Sequence, residues 1–321
     1  MIKYVIKRFA QMIVVLLAVS VLVFLLTNFI GDPVDMLVPE NATLEEIESA
    51  RRRLGLDKPL PVQYMIFMKS VIHGDFGKSY TYGLPAMGLI IERIPATMEI
   101  VIVAASLSLL LAIPLGVYAG AFPKRKSSKL IMSGSILGIS LPSFWVGMMM
   151  IYIFAVTFRV LPASGRGNTV EVFGIQTSLF APGGWKYIVL PSLTLAMTHI
   201  ATTLRLTRSG ILENMKQDYI KFARAKGVPA KSVLFGHALK NALIPVITIF
   251  GMNLGGMIVF TTITETIFAW PGMGKLLIDA IGKADRPIIV AYLMATSCLF
   301  VVINFVVDIL YTFIDPRIEL R

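Results

Sequence analysis

Three histidines, one cysteine and 19 acidic side chains are the groups in this 321-residue sequence that could ligate a metal or carry protons. Their spacing supports neither chemistry. His73, His199 and His237 are widely separated, and Cys298 lies inside an apolar run, so there is no CxxC pair for zinc and no intrachain disulfide. Neither HExxH nor GxSxG occurs, which removes the metalloprotease and serine-hydrolase constellations. The run GDFGKS at 74–79 is like the end of a phosphate-binding loop, but that loop needs a glycine five positions before Gly77, and Ile72 stands there. No catalytic residue, metal ligand or internal nucleotide site is assigned, and the chain is read as not being an enzyme.

The remaining candidates are mild polar groups within apolar stretches. Thr194, Thr198 and Thr202 recur at i, i+4 and i+8 toward Arg205, which places three hydroxyls on one helix face. Such a face either lines a watery path or bonds carbonyls of its own and neighbouring helices. Ser297, Asn304 and Asp308 share another face, and a charge such as Asp308 turns to protein or water rather than lipid. Asp308 is the one intramembrane acid found in this reading.

Those groups need apolar helices to carry them. The chain is 56% hydrophobic and 15% charged with mean hydropathy +0.76, an integral membrane composition. Its 30 basic and 19 acidic residues sit between apolar runs rather than on a soluble domain, a pattern that fits membrane lipid and not nucleic acid. Six spans are expected, at about 9–30, 95–122, 130–158, 187–204, 242–264 and 287–307. The first is long enough to cross the hydrocarbon and is followed by no cleavage site, so it is read as retained. Lys124, Arg125, Lys126 and Lys129 separate spans two and three, and eight basic residues lie between 205 and 240. The opposite loops, 159–186 and 265–286, carry three each, so both termini are expected on the cytoplasmic side.

Residues 31–95 form a long polar segment with nine acidic and seven basic side chains, read as a small extracytoplasmic subdomain. Within it, Thr43 begins an N-capped amphipathic helix that Gly55 closes. Residues 266–286 are apolar but broken by Pro271 and Gly272. They are expected to form an interfacial loop anchored by Trp270, with a dip into the protein as the alternative. Three GxxxG pairs, at Gly116 and Gly120, Gly134 and Gly138, and Gly251 and Gly255, permit close helix contacts.

The polar stretch at 213–245 differs from a plain connector. From Asp218 it reads as a helix with Tyr219, Phe222 and Ala223 on one face and Lys221 and Arg224 turned away. Gly227 and then Pro229 end it, and a second short helix with Lys231, His237 and Lys240 leads back to the membrane. A basic helix–turn–helix between two spans suits docking to a cytoplasmic partner.

The run DYIKFARAKG at 218–227 resembles the EAA loop of binding-protein-dependent ABC importer permeases. Lys221, Phe222 and Ala223 occupy the E-A-A positions and Gly227 the glycine, so the glutamate and first alanine are absent, as in the peptide and nickel branch. Agreement extends over essentially the whole chain: Gly31 to Pro33, LGLD at 54–57, PVQY at 61–64, RIPAT at 93–97, LPSFW at 141–145, LPASG at 161–165, FAWPG at 268–272 and Asp315 to Arg317. The resemblance implies an all-α integral membrane protein with six transmembrane helices of the type I ABC importer permease kind and a small extracytoplasmic subdomain between helices 1 and 2. It divides the chain into an N-terminal helix (1–30), the subdomain (31–93), the permease domain (94–312) and a cytoplasmic tail (313–321). It further implies a bacterial or archaeal plasma (inner) membrane, a second homologous permease, two cytoplasmic ATPases that bind ATP and Mg, and an extracytoplasmic solute-binding protein. No cofactor is expected in this chain. Asp218, Tyr219, Lys221, Phe222, Ala223, Arg224, Ala225 and Gly227 would form the coupling helix; Thr194, Thr198, Thr202, Ser297 and Asn304 are candidates for the translocation path. Short peptides are the expected cargo, with nickel or a metal chelate as the alternative. An ion-coupled secondary transporter is disfavoured because only Asp308 would serve it and no repeat is seen.

Overall fold

A computed structural model describes residues 2–29 and 43–314. The motif at 31–33, the motif at 315–317 and most of the tail therefore lie outside the described residues. Twelve α-helices follow in chain order among the described residues. The first four are α1 (Ile2–Phe29), α2 (Leu44–Leu54), α3 (Leu60–Ile72) and α4 (Ala86–Ala121). Next come α5 (Lys126–Ser140) and α6 (Ser143–Met150), which runs on into a π-helical segment, Ile151–Thr157. A short antiparallel hairpin, β1 (Val170–Val172) with β2 (Ile175–Thr177), precedes α7 (Trp185–Asn214), α8 (Asp218–Ala225) and the single turn α9 (Ala230–Ser232). A second π-helical segment, Val233–Ala238, leads into α10 (Leu239–Ile267), then α11 (Met273–Gly282) and α12 (Arg286–Ile314).

Five of these helices are long and apolar enough to cross a membrane; α5 with α6 and its π extension makes a sixth only as one span bent by 109°. The third span, expected at about 130–158, is thus a broken one. Leu141 is extended and Pro142 follows, so the residue before proline is steered out of the helical region and the ladder stops. Span edges also move. The second span, α4, starts at Ala86 and runs through Pro95 and Pro114, while α7 continues ten residues past Leu204. The extension is held by packing. A Cβ at Gly116 of α4 would come within 2.6 Å of Thr207, and one at Gly120 within 2.8 Å of Ile211, so this GxxxG pair is the seam between α4 and α7. Gly251 and Gly255 play the same part against Val307 and Phe300 of α12, whereas Gly134 has open space.

Local signals fared well where a side chain caps its own helix. Thr43 accepts from the Glu46 N–H and Glu46 bonds the Thr43 N–H in return; Gly55, at φ 69°, closes α2 in the left-handed region. The main core gathers α4, α7, α10, α11 and α12 around Ile90, Ile100, Ile188, Met257, Trp270 and Ile288. Trp270 is therefore no interfacial anchor. It is fully buried and its Nε1 donates to the Ala96 carbonyl at 2.9 Å, a partner that a buried indole N–H requires and that sits 174 residues away in sequence.

Candidate functional site

Two ends of the bundle carry the polar chemistry, and the length of α4 and α7, which run parallel, and of α10, which runs against them, separates the two. At one end α7 passes into α8 and α10 begins. At the other, the hairpin precedes α7 and the 268–275 turn follows α10.

At the loop-helix end, α8 starts after an extended Gln217 with Asp218 in its first turn, where a carboxylate suits the helix dipole. Lys221 bonds Asp218 at 2.8 Å and holds its carboxyl below the usual carboxylate range. Gly227, at φ 78°, ends the helix before Pro229. The face expected to hold Tyr219, Phe222 and Ala223 together is split. At 100° per residue Ala223 falls between Tyr219 and Ile220, and the structure turns Ile220 and Ala223 inward. Both pack in a cluster with Val117 of α4, Ile211 of α7 and Ala242 of α10. Phe222 is left 62% exposed, with the Lys226 ammonium 4.6 Å from its ring centre, and Lys221, Arg224 and Ala225 are exposed around it. Tyr219 lies at the edge: its hydroxyl donates to Asn214 Oδ1 at 2.6 Å and accepts from Asn241 Nδ2 at 3.0 Å. The expected second helix is the single turn α9 and a π-helical segment that run straight into α10, with Phe235 exposed on it.

The candidate path residues do not come together. Thr194 is buried and bonds the Leu190 carbonyl, with a methyl close to Gly147 of α6; Thr202 bonds the carbonyls of Thr198 and His199. Thr198 alone of the three is exposed. Ser297 is half-buried, and Asn304 bonds the Phe300 carbonyl beside Gly255. An apolar cavity of ≈ 280 Å³ between α4, α5, α6 and α7 is lined by Leu115, Ile131, Met150, Met197 and Leu204 among others, and by none of the three threonines. Asp308 pairs with Arg8 of α1 at 3.1 Å.

The hairpin end holds residues that the sequence reading missed. Glu99 of α4 is buried and accepts from the Thr177 and Ser178 hydroxyls and the Ser178 and Leu179 N–H groups, and Arg166 reaches its second oxygen at 2.8 Å. Glu265 of α10, fully buried, accepts from the Thr97 hydroxyl at 2.6 Å and the Lys275 N–H at 2.9 Å, while Thr97 accepts from Met273 N. Gly272 precedes α11 with no capping side chain, and the Glu265 carboxylate takes that place; a Cβ on Gly272 would overlap it. Asp285, before α12, is bonded by the Ser79 hydroxyl and the Thr81 N–H. Burial pushes its carboxyl up, but these bonds outweigh it and hold it below the ordinary range. The view that Asp308 is the one intramembrane acid is thereby corrected: Glu99 lies within the second span as first drawn, yet it is neutralised in place by Arg166. Among the described residues no group of three or more His, Cys, Asp or Glu side chains could hold a metal ion.

This is an all-α multi-pass membrane protein whose fold is that of an ABC importer permease. In a solved structure of the MetNI methionine ABC transporter, inward facing, one chain matches with TM-score 0.55 and 15% identity, over 71% of this chain and 97% of that one, and the likeness is one of fold. The model of the binding-protein-dependent transport system inner membrane component matches residues 112–320, and the N-terminal model of the same membrane component matches residues 1–101. The chain belongs to this family and is a permease component, not an enzyme. Relatives include the oligopeptide transport system permease protein AppB of Bacillus subtilis (strain 168), 36% identical over 98% of this chain and 99% of its own. The dipeptide transport system permease protein DppB of Alkalihalophilus pseudofirmus is also 36% identical, over 99% of this chain and 100% of its own.

Proposed function

We propose that this chain is the membrane path subunit of an ATP-driven importer of di- to oligopeptides and that α8 is its coupling helix. The observation that carries this reading is the division of α8 into two faces: Ile220 and Ala223 are locked into the subunit's own core, while Phe222 stands exposed among cations. An aromatic anchor with a charged surround is what a groove on a partner protein recognises. The partners are two cytoplasmic ATPases, which supply ATP and Mg, together with a second homologous permease and an extracytoplasmic solute-binding protein. Both termini lie on the cytoplasmic side, in keeping with the basic loops. The division of the chain at 30, 93 and 312 belongs to this reading. Peptide cargo follows the names of the relatives, and the described residues offer no cluster that would build a dedicated metal cage.

The test is uptake by the reconstituted complex. Labelled di- to oligopeptides should accumulate with ATP, and Phe222→Asp should abolish accumulation and release the ATPases. ATP-dependent accumulation of a metal chelate that peptides neither match nor compete with would overturn the peptide assignment. For orientation, a cysteine placed at 45 or 275 in a Cys298-free chain should react with an impermeant thiol reagent, and one at 125 or 230 should not.

A further inference from the structure

The coupling-helix reading gives Phe222 a task but leaves Tyr219 unexplained, because its hydroxyl is already committed within the chain. That hydroxyl donates to Asn214, the last residue of α7, and accepts from Asn241, in the first turn of α10. Asn214 is itself fixed, since its Nδ2 donates to the Gly210 carbonyl at 2.8 Å. Gly210 is where the two helices meet: a Cβ there would come within 3.0 Å of the Ala242 Cβ. One oxygen atom thus joins the loop helix to the ends of both spans that flank it, beside the contact of Gly210 with Ala242.

We propose that Tyr219 is a positioning residue, the directional joint through which displacement of α8 is passed to α7 and α10 together. This rests on α8 being the coupling helix. The physical ground is the contrast between the two joints of α8. Ile220 and Ala223 hold it by apolar packing, which is non-directional and tolerates rocking. The hydroxyl bonds are angle-dependent and fix the register of the helix against both spans. Without them α8 still folds and still presents Phe222, but its movement is no longer tied to that of the span ends.

The experiment uses the complete importer in proteoliposomes and reads two quantities: ATPase copies retained on purification, and labelled peptide accumulated per ATP hydrolysed. Tyr219→Phe removes only the hydroxyl. It should keep both ATPases, while peptide per ATP falls at least fivefold, since two hydroxyl bonds are lost and one ordinary net hydrogen bond corresponds to about fivefold. Asn241→Ala, which cuts only the bond to α10, should lower the ratio roughly fivefold, and the double variant should be no worse than Tyr219→Phe, because that change already removes both bonds. A parental ratio in Tyr219→Phe overturns the proposal, as does loss of ATPase copies, which would make the hydroxyl a docking group. Additive losses in the double variant overturn it too. Failure of the underlying reading shows differently: Phe222→Asp would then keep its ATPases and transport like the parent.

Discussion

At the hairpin end three buried carboxylates each hold a separate stretch of chain: Glu99 grips the hairpin and the 177–179 turn, Glu265 the start of α11, and Asp285 the residues around Ser79. At the loop-helix end the same helices meet over aliphatic side chains, three close glycines and a single phenolic hydroxyl. The contrast fits the coupling role proposed for α8. Charged hydrogen bonds without solvent are costly to break, so they suit joints that stay closed. Apolar contacts exchange partners at little cost, and an exposed ring such as Phe222 remains available. Rigidity is concentrated away from the face proposed to meet the ATPases.

The sharpest way to test that contrast is to compare unfolding across the two ends. Glu99→Ala leaves Arg166 without its carboxylate in a site where its side chain is only 12% exposed, and it orphans several donors. The expected loss is about 3–5 kcal/mol, read as a lowered unfolding midpoint in detergent with early proteolysis at the hairpin. Gly272→Ala forces a methyl into the Glu265 carboxylate and should cost about 1–3 kcal/mol by the same measurement. The Asp285 joint should appear as pH dependence. Its folded-state pKa is depressed, so its contribution is present above the ordinary carboxylate range and is lost as pH falls through the folded value. Between neutral pH and about pH 3 the parent's midpoint should therefore drop more than that of Asp285→Asn. Phe222→Asp should leave the midpoint unmoved, since the ring is outside the fold. A large shift there would erase the distinction between the two ends.

How far these features could be read from residues alone depends on the reach of the interaction. The capped helix from Thr43 to Gly55 and the limits of α8 at Asp218 and Gly227 are governed by contacts within four or five positions, and both were found. Trp270 was misjudged because its surroundings come from α4, 174 positions away. Arg166 and Glu99 are 67 apart, and strands of three residues around Phe173 and Gly174 are too short for alternation to announce them. On α8 the pattern established an apolar side but misjudged its centre by one position, enough to bring Ala223 outward and overlook Ile220.

The long reach of the carboxylate joints also orders events in time. Thr97 meets Glu265 across 168 positions, and Ser79 meets Asp285 across 206. During synthesis the N-terminal half of each joint, Thr97 on α4 and Ser79 ahead of it, emerges well before its counterpart exists. A chain halted after α7 would hold Glu99 already satisfied by Arg166 and the 177–179 turn, but Thr97 and Ser79 would still lack their acids. Closure of that end thus depends on delivery of the last two long helices, and it marks the moment at which a nascent subunit becomes a finished one.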